Sequence, residues 1–460
     1  MTLDTGTAGT PATTGGTADR PAGDAHRPDP ARGESREERT PKRRWGGRRA
    51  QPGGRARADR RGRSAAARRW ARMRRAMVPY HRWIGLVGAI PLILLSLTGG
   101  ILVFRPEIDR LLNGGAFGRG GDVPATAEGI PAAADAVARV SGDRVTRVYA
   151  QGGDYIVTAA SDDGASRRWV VDAVSGEPAG PLEEGVVGFL ANVHTCGLTC
   201  SERPGYAAWL AVELGPASLG TWLLALGAIT AILLAVTGAW TWWRVTPRLR
   251  DSLRVRRWRP AARRDRELHI ALGAAACVPL LIWGITGAVW EVPGGKEAYS
   301  AITGATSKGH GGQGGREPDA GPDIGMAAAI DAGAEAIPGA EVTGVGAPTP
   351  KRPGYTIYLQ EGDLDLWAHG DGYHANRRVA VDAATGQARI TRGGDAGWAD
   401  KLRDQWFGPV HYGWWAPWYV KVVWAFLGFT PAVLSVTGVA IWWRRRRAAR
   451  LRARRAVAAG

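Results

Sequence analysis

Cysteine is scarce, three in 460 residues. No C-x-x-C-H occurs, so covalent haem attachment is excluded, and no second C-x-x-x-C accompanies Cys196 and Cys200 to build a cysteine metal site. No G-x-G-x-x-G follows a strand and no P-loop is present, which removes a pyridine-nucleotide or ATP site. Acids are the minority charge, 42 against 60 Lys and Arg, for a net charge of +18. Residues 1–74 almost lack large apolar side chains and are rich in Gly, Pro, Thr, Ala and Arg. Such a segment cannot bury enough surface to offset ordering entropy, and a disordered arm is expected.

Four apolar stretches stand against this polar background: Ile84 to Phe104, "SLGTWLLALGAITAILLAVTGAWTWW", "HIALGAAACVPLLIWGITGAVW" and "VKVVWAFLGFTPAVLSVTGVAIWW". Each is long enough to cross a hydrocarbon layer roughly 30 Å thick. They give transmembrane helices at 75–104, 204–244 (with a preceding outer segment), 267–292 and 413–443. The first run starts too late, is too long and lacks a small-residue cleavage site, so it reads as a retained anchor rather than a signal peptide.

Arginines crowd "RRWARMRR" before the first helix, the loop 245–266 and the tail 444–460, whereas the long loops 105–203 and 293–412 mix both signs. The positive-inside rule then places both termini in the cytoplasm and the long loops outside, in a multi-pass protein of the cytoplasmic membrane. The basic runs are juxtamembrane and carry no nucleic-acid signature beyond charge. Membrane lipid headgroups explain them, and no nucleic-acid partner is expected.

The second half repeats the first. His81 precedes Thr98-Gly99 by 17 residues and His269 precedes Thr286-Gly287 by 17. "RRWVVDAVSG" (167–176) parallels "RRVAVDAATG" (377–386), each an alternating strand closed by an Asp-x-x-Ser/Thr-Gly turn, after the turns "SDDGAS" and "HGDGYH". "FLANVHTCG" parallels "WFGPVHYGW", aligning His194 with His411, and helices 2 and 4 end in "VTGAWTWWR" and "VTGVAIWWR". The unit is helix, outside domain, histidine, helix, used twice as parallel repeats about an axis along the membrane normal. Each outside domain reads as a small α+β module with a short helix, "AAADAVARV" or "MAAAIDAGAEAI", before its strands.

This order of helices, the paired "RRxxVDxxTG" modules and the four histidines resemble the PepSY-associated transmembrane family, over about residues 75–447. That family includes iron-regulated membrane proteins and haem-containing ferric-siderophore reductases. The resemblance implies four transmembrane helices with two extracytoplasmic PepSY-like α+β domains. Two features depart from the pattern: the inserted "TCGLTCSERPGYAAWLAVELG" after His194 and the arginine-rich arm.

His81 and His269 fall at the inner ends of helices 1 and 3, and His194 and His411 before helices 2 and 4 at the outer side. A single such histidine reads as an interfacial polar residue. Two at equal depth supply the two axial nitrogens of a low-spin haem, so two b-type haems are expected, with His81 and His269 on the inner and His194 and His411 on the outer. Gly85 and Gly88 after His81, and Gly273 and Ala276 after His269, form a small-residue stripe that suits either a macrocycle or helix packing.

Cys196 and Cys200 are a disulfide candidate on the oxidising side, and Cys277 is a packing residue. His310, His369 and His374 have no partner in the first half and read as solvated turn residues, with an extracellular iron contact as the other possibility. Trp242-Trp243, Trp442-Trp443 and "HYGWWAPWY" read as aromatic belts, with stacking by Trp414 or Trp415 on a haem or siderophore as the competing role.

The expected activity is reduction of ferric iron, held in a siderophore or other chelate outside, by electrons carried outward. The donor must come from a flavin, a cytoplasmic partner or membrane quinol. A non-enzymatic PepSY protein that restrains a peptidase or senses the envelope is the second class, and a transporter the third. The spans lack the buried acids and broken helices that a transporter would more often show.

Overall fold

The computed structural model describes residues 54–121, 123–162, 166–242, 255, 260–305, 322–349, 352–361, 375–393, 397–413 and 417–459. Trp243, His310, His369, His374, Trp414 and Trp415 lie outside the described residues, as do residues 1–53 of the arm. Helix α1 spans Gly54–Val87 and α2 Ala89–Leu102, followed by α3 Arg105–Leu112 and α4 Ile130–Ser141. Strands β1 Arg144–Gln151, β2 Asp154–Ala160, β3 Ser166–Asp172 and β4 Pro178–Pro181 lead to α5 Gly185–Ala191 and a π turn at Asn192–Cys196. A hairpin of β5 Glu213–Leu214 and β6 Ala217–Ser218 precedes α6 Leu219–Trp242. The second half holds α7 Ala261–Glu291, α8 Gly295–Thr303, α9 Met326–Glu335, β7 Glu341–Gly346, β8 Tyr355–Gln360, β9 Arg377–Val381 and β10 Ala388–Arg392. It ends with α10 Trp398–Lys401, α11 Phe407–Tyr412 and α12 Trp418–Ala459.

Among the described residues, α6, α7 and α12 are long and apolar enough to cross a membrane. The pair 71–87 and 89–102 passes the same test together, with a 64° bend between its parts, so the expectation that no span is a broken helix fails for the first of them. Two boundaries differ from the sequence expectation. Helix begins at Gly54, inside the arm, where "RSAAARRWARMRR" is rich in the strongest helix formers. The basic tail is a continuation of α12, again through Ala and Arg.

The four long elements close into a ring in which α2 meets α6, α6 meets α7, α7 meets α12 and α12 meets α2. Small residues set the approach: a Cβ on Gly284 would lie 2.9 Å from the Ile232 backbone nitrogen, and one on Gly227 would lie 2.4 Å from Leu95. Ser96 of α2 enters the ladder of α12 beside Pro431, donating to the Gly428 carbonyl at 2.5 Å and accepting from the Ala432 N–H at 3.1 Å. A hydroxyl spliced between an i and i−4 pair both bends a helix and satisfies it.

The strands of both halves form one sheet, ordered β10-β9-β8-β7-β1-β2-β3-β4, with every neighbour antiparallel. The seam is β1 on β7, pairing Arg147 with Gly346, Val148 with Val345 and Tyr149 with Gly344. A Cβ on Gly344 would sit 2.3 Å from the Tyr149 ring, so only glycine fits there. Alternation along β3 sends Trp169 and Val171 into a core shared by Ile130 and Val137 of α4, Ile330 of α9 and Ile357 of β8, while Val170 faces Ile156 and Leu182 on the other side. The two segments between the long helices, separate in the sequence, thus share one core.

The Asp-x-x-Ser/Thr-Gly turns are structural. Asp172 Oδ1 accepts from Val174 N, Ser175 N and Ser175 Oγ, and Asp382 Oδ1 accepts from Ala384 N, Thr385 N and Thr385 Oγ1. The Ser175 donors hold the Asp172 carboxyl below its ordinary value. Gly176 and Gly386 follow at φ 69° and 70°, which L side chains rarely adopt. Arg168 ties the sheet to the helices, donating to Glu184 at 2.9 Å and Asp109 at 3.1 Å.

Candidate functional site

The bundle brings the four histidines together in two pairs. His81 of α1 and His269 of α7 have ring centroids 6.3 Å apart, with planes at 87°. His194 of the π turn and His411 of α11 have centroids 6.2 Å apart, with planes at 64°. Along α7 the 17 residues from His269 to Thr286 rise about 25 Å, which separates the two levels by most of an apolar layer.

A threonine holds each ring. His81 Nδ1 lies 2.9 Å from Thr237 Oγ1, His194 Nδ1 2.9 Å from Thr98, His269 Nδ1 2.9 Å from Thr437 and His411 Nδ1 2.6 Å from Thr286. The same four oxygens lie 2.6 to 2.8 Å from the carbonyls of Leu233, Leu94, Val433 and Ile282, one helical turn back. Two oxygens that close repel unless a hydrogen lies between them, so each hydroxyl gives its one proton to the carbonyl. Its oxygen therefore accepts from Nδ1–H, and the lone pair of each neutral imidazole falls on Nε2. Among the described residues no hydrogen bond engages any of these Nε2 atoms. Burial pushes His194 down to about 4 and His411 to about 3, which keeps these two rings, outside the spanning helices, neutral.

His194 and His411 are anchored differently from one another. Asn192 is fully buried, and its amide donates to the carbonyls of Cys200 and Pro204 at 3.2 and 3.1 Å, folding the loop after His194 back on its own turn. Cys196 and Cys200 are bonded as a disulfide within that loop, with Cα atoms 5.7 Å apart. The His411 carbonyl instead accepts from the indoles of Trp283 at 3.1 Å and Trp424 at 3.4 Å, and the Trp290 ring lies 5.0 Å from the imidazole. Cys277 donates to the Ala235 carbonyl at 3.6 Å between α7 and α6, a packing position.

Among the described residues no group of three or more His, Cys, Asp or Glu is placed to hold a bare metal ion. Two imidazoles paired at this separation suit a metal whose other ligands arrive with it. An iron bound by two Nε2 atoms at about 2 Å each places the imidazole centroids about 6.3 Å apart. Both pairs have that separation, with the correct tautomer, and the residues present fit a bis-histidine haem at each level.

Sequence reasoning found the histidines but used Thr98, Thr237, Thr286 and Thr437 only as marks of the repeat. The Thr-Gly dipeptide that occurs once in each of the four apolar stretches carried the signal. Apolar helices of spanning length, with histidines paired among them, define a membrane protein. The chain belongs to the family of the PepSY-associated TM region, whose sequence model matches residues 78–445. No curated protein matches the chain.

Proposed function

We infer that the protein is a transmembrane di-haem oxidoreductase that passes electrons outward to ferric iron, presented as a siderophore or other chelate, for iron acquisition. The observation that carries this reading is the pair of centroid separations, 6.3 and 6.2 Å, joined to four Nε2 atoms left free by the threonines. On this reading four spans, counting the bent pair α1–α2 as one, arise from two parallel repeats. Both termini are cytoplasmic, and the shared sheet is a pair of PepSY-like domains on the outer face of the cytoplasmic membrane.

His81 and His269 hold the inner haem b, and His194 and His411 the outer one. A haem so held supplies one-electron exchange between ferric and ferrous iron. The protein's own part is to keep the imidazoles neutral and oriented and to keep water from the inner faces of the bundle. The outer pair adjoins the outside domain, where a substrate too polar for lipid can approach. Electrons enter from a cytoplasmic partner, a flavin or quinol.

The test is the absorption spectrum of the purified full-length chain, with haem counted as the pyridine haemochrome. Two haems per chain, a reducible Soret and α band, and loss of one haem in His81→Ala or His411→Ala are expected. A chain purified from haem-replete cells without haem, or histidine variants with unchanged haem content, would overturn the assignment.

A further inference from the structure

Each hydrogen bond from a histidine to its threonine closes within one half of the chain: α1 to α6 and the π turn to α2 in the first, α7 to α12 and α11 to α7 in the second. The rings that face one another come from opposite halves. Orientation is thus set inside a repeat, and pairing between repeats.

The residue after each threonine is glycine. A Cβ on Gly99 would lie 2.6 Å from Cε1 of His194, one on Gly238 3.4 Å from Cε1 of His81 and one on Gly438 3.5 Å from Cε1 of His269. In each dipeptide threonine takes Nδ1–H; at Gly99 the glycine is also needed to leave room for the ring carbon, whereas at Gly238 and Gly438 a methyl would make ordinary contact with it. Gly287 adjoins no ring, its nearest neighbour being Ala228 at 3.3 Å.

We propose that Thr98, Thr237, Thr286 and Thr437 are positioning residues that fix the histidine tautomer and set the donor strength of Nε2, and with it the redox potential of each pair. The proposal rests on the haem reading above. An acceptor on Nδ1–H makes an imidazole more basic, which favours ferric iron and lowers the potential, and such outer partners typically alter metal affinity by about 10- to 100-fold. These acceptors are hydroxyls rather than carboxylates, so they orient the ring without adding a negative charge to the bundle. Thr98 is only 5 % exposed and Thr286 2 %, so no water replaces a lost hydroxyl.

The test is a spectroelectrochemical titration and haem count on the full-length chain carrying Thr98→Val or Thr237→Val, with the serine variants beside them. Thr98→Val should raise the midpoint potential of the outer haem and weaken its retention by about 10- to 100-fold, leaving the inner haem unchanged. Thr237→Val should do the reverse, and serine at either position should restore both quantities. Valine variants with the unaltered protein's potentials and haem content would overturn the proposal while leaving the haem reading intact. So would a Thr98→Val chain in which both haems weaken equally, since that reports general loosening. An unaltered chain with no haem would remove the underlying reading instead.

Discussion

The first half of the chain carries His81 on a helix that breaks by 64° at Gly88, while the second half carries His269 on the unbroken α7. Both helices hold a proline ten residues after the histidine, Pro91 and Pro279, so proline alone does not bend them. The difference is Gly88 against Ala276. Glycine costs about 1 kcal/mol in a helix relative to alanine, and here it also lets the backbone approach Thr230, which a Cβ would meet at 2.3 Å. Yet the bonds from His81 and His269 to their threonines are equal at 2.9 Å. Site geometry is therefore held by the Thr-Gly pairs, and the helix axis is free to differ.

Three substitutions press on that comparison. The largest effect is expected for Gly99→Ala, whose methyl cannot share space with His194. On the haem reading, the haem at His194 and His411 should then be lost, whereas Gly287→Ala, against Ala228, should retain it, and equal haem content in the two variants would overturn the steric role given to Gly99. Gly88→Ala comes next. It should straighten α1 into α2 against Thr230 and cost about 1–3 kcal/mol as overpacking, seen as a lower unfolding temperature in detergent. Thr230→Ala in the same chain should recover most of the loss, and no recovery would place the strain elsewhere. The smallest change belongs to Trp283→Phe, which removes one donor from the His411 carbonyl for about 0.5–1.5 kcal/mol. Trp424→Phe, from the longer bond, should cost less, and a reversed order in thermal unfolding would count against the clamp.

The sequence made the bundle and the paired histidines legible because both rest on local quantities: hydropathy over a helix length, and a spacing of 17 residues repeated. The bend at Gly88 was hidden, since glycine beside proline occurs in many straight spans and the deciding contact, Thr230, lies on another helix. The seam between β1 and β7 was hidden for the same reason, because strand register across nearly 200 residues of chain leaves no periodic trace. Trp283 and Trp424 carried no signal of their own in the sequence, because only the fold brings two indoles to one carbonyl.

The seam also bears on how the protein chooses its partner strand. Val148 faces Val345, and the flanking pairs exchange roles, Arg147 with Gly346 and Tyr149 with Gly344. Aligning Val145-Thr146-x-Val148 with Val342-Thr343-x-Val345 makes this the self-complementary pattern of a symmetric dimer. On the duplication proposed here, a half-length ancestor would have joined through this strand to its own copy. Fusion released the two sides from identity: one keeps Arg147 and Tyr149, and the other has only glycine opposite them. Gly344 leaves the space that the Tyr149 ring fills, so the seam as built is specific to the strand of the second half.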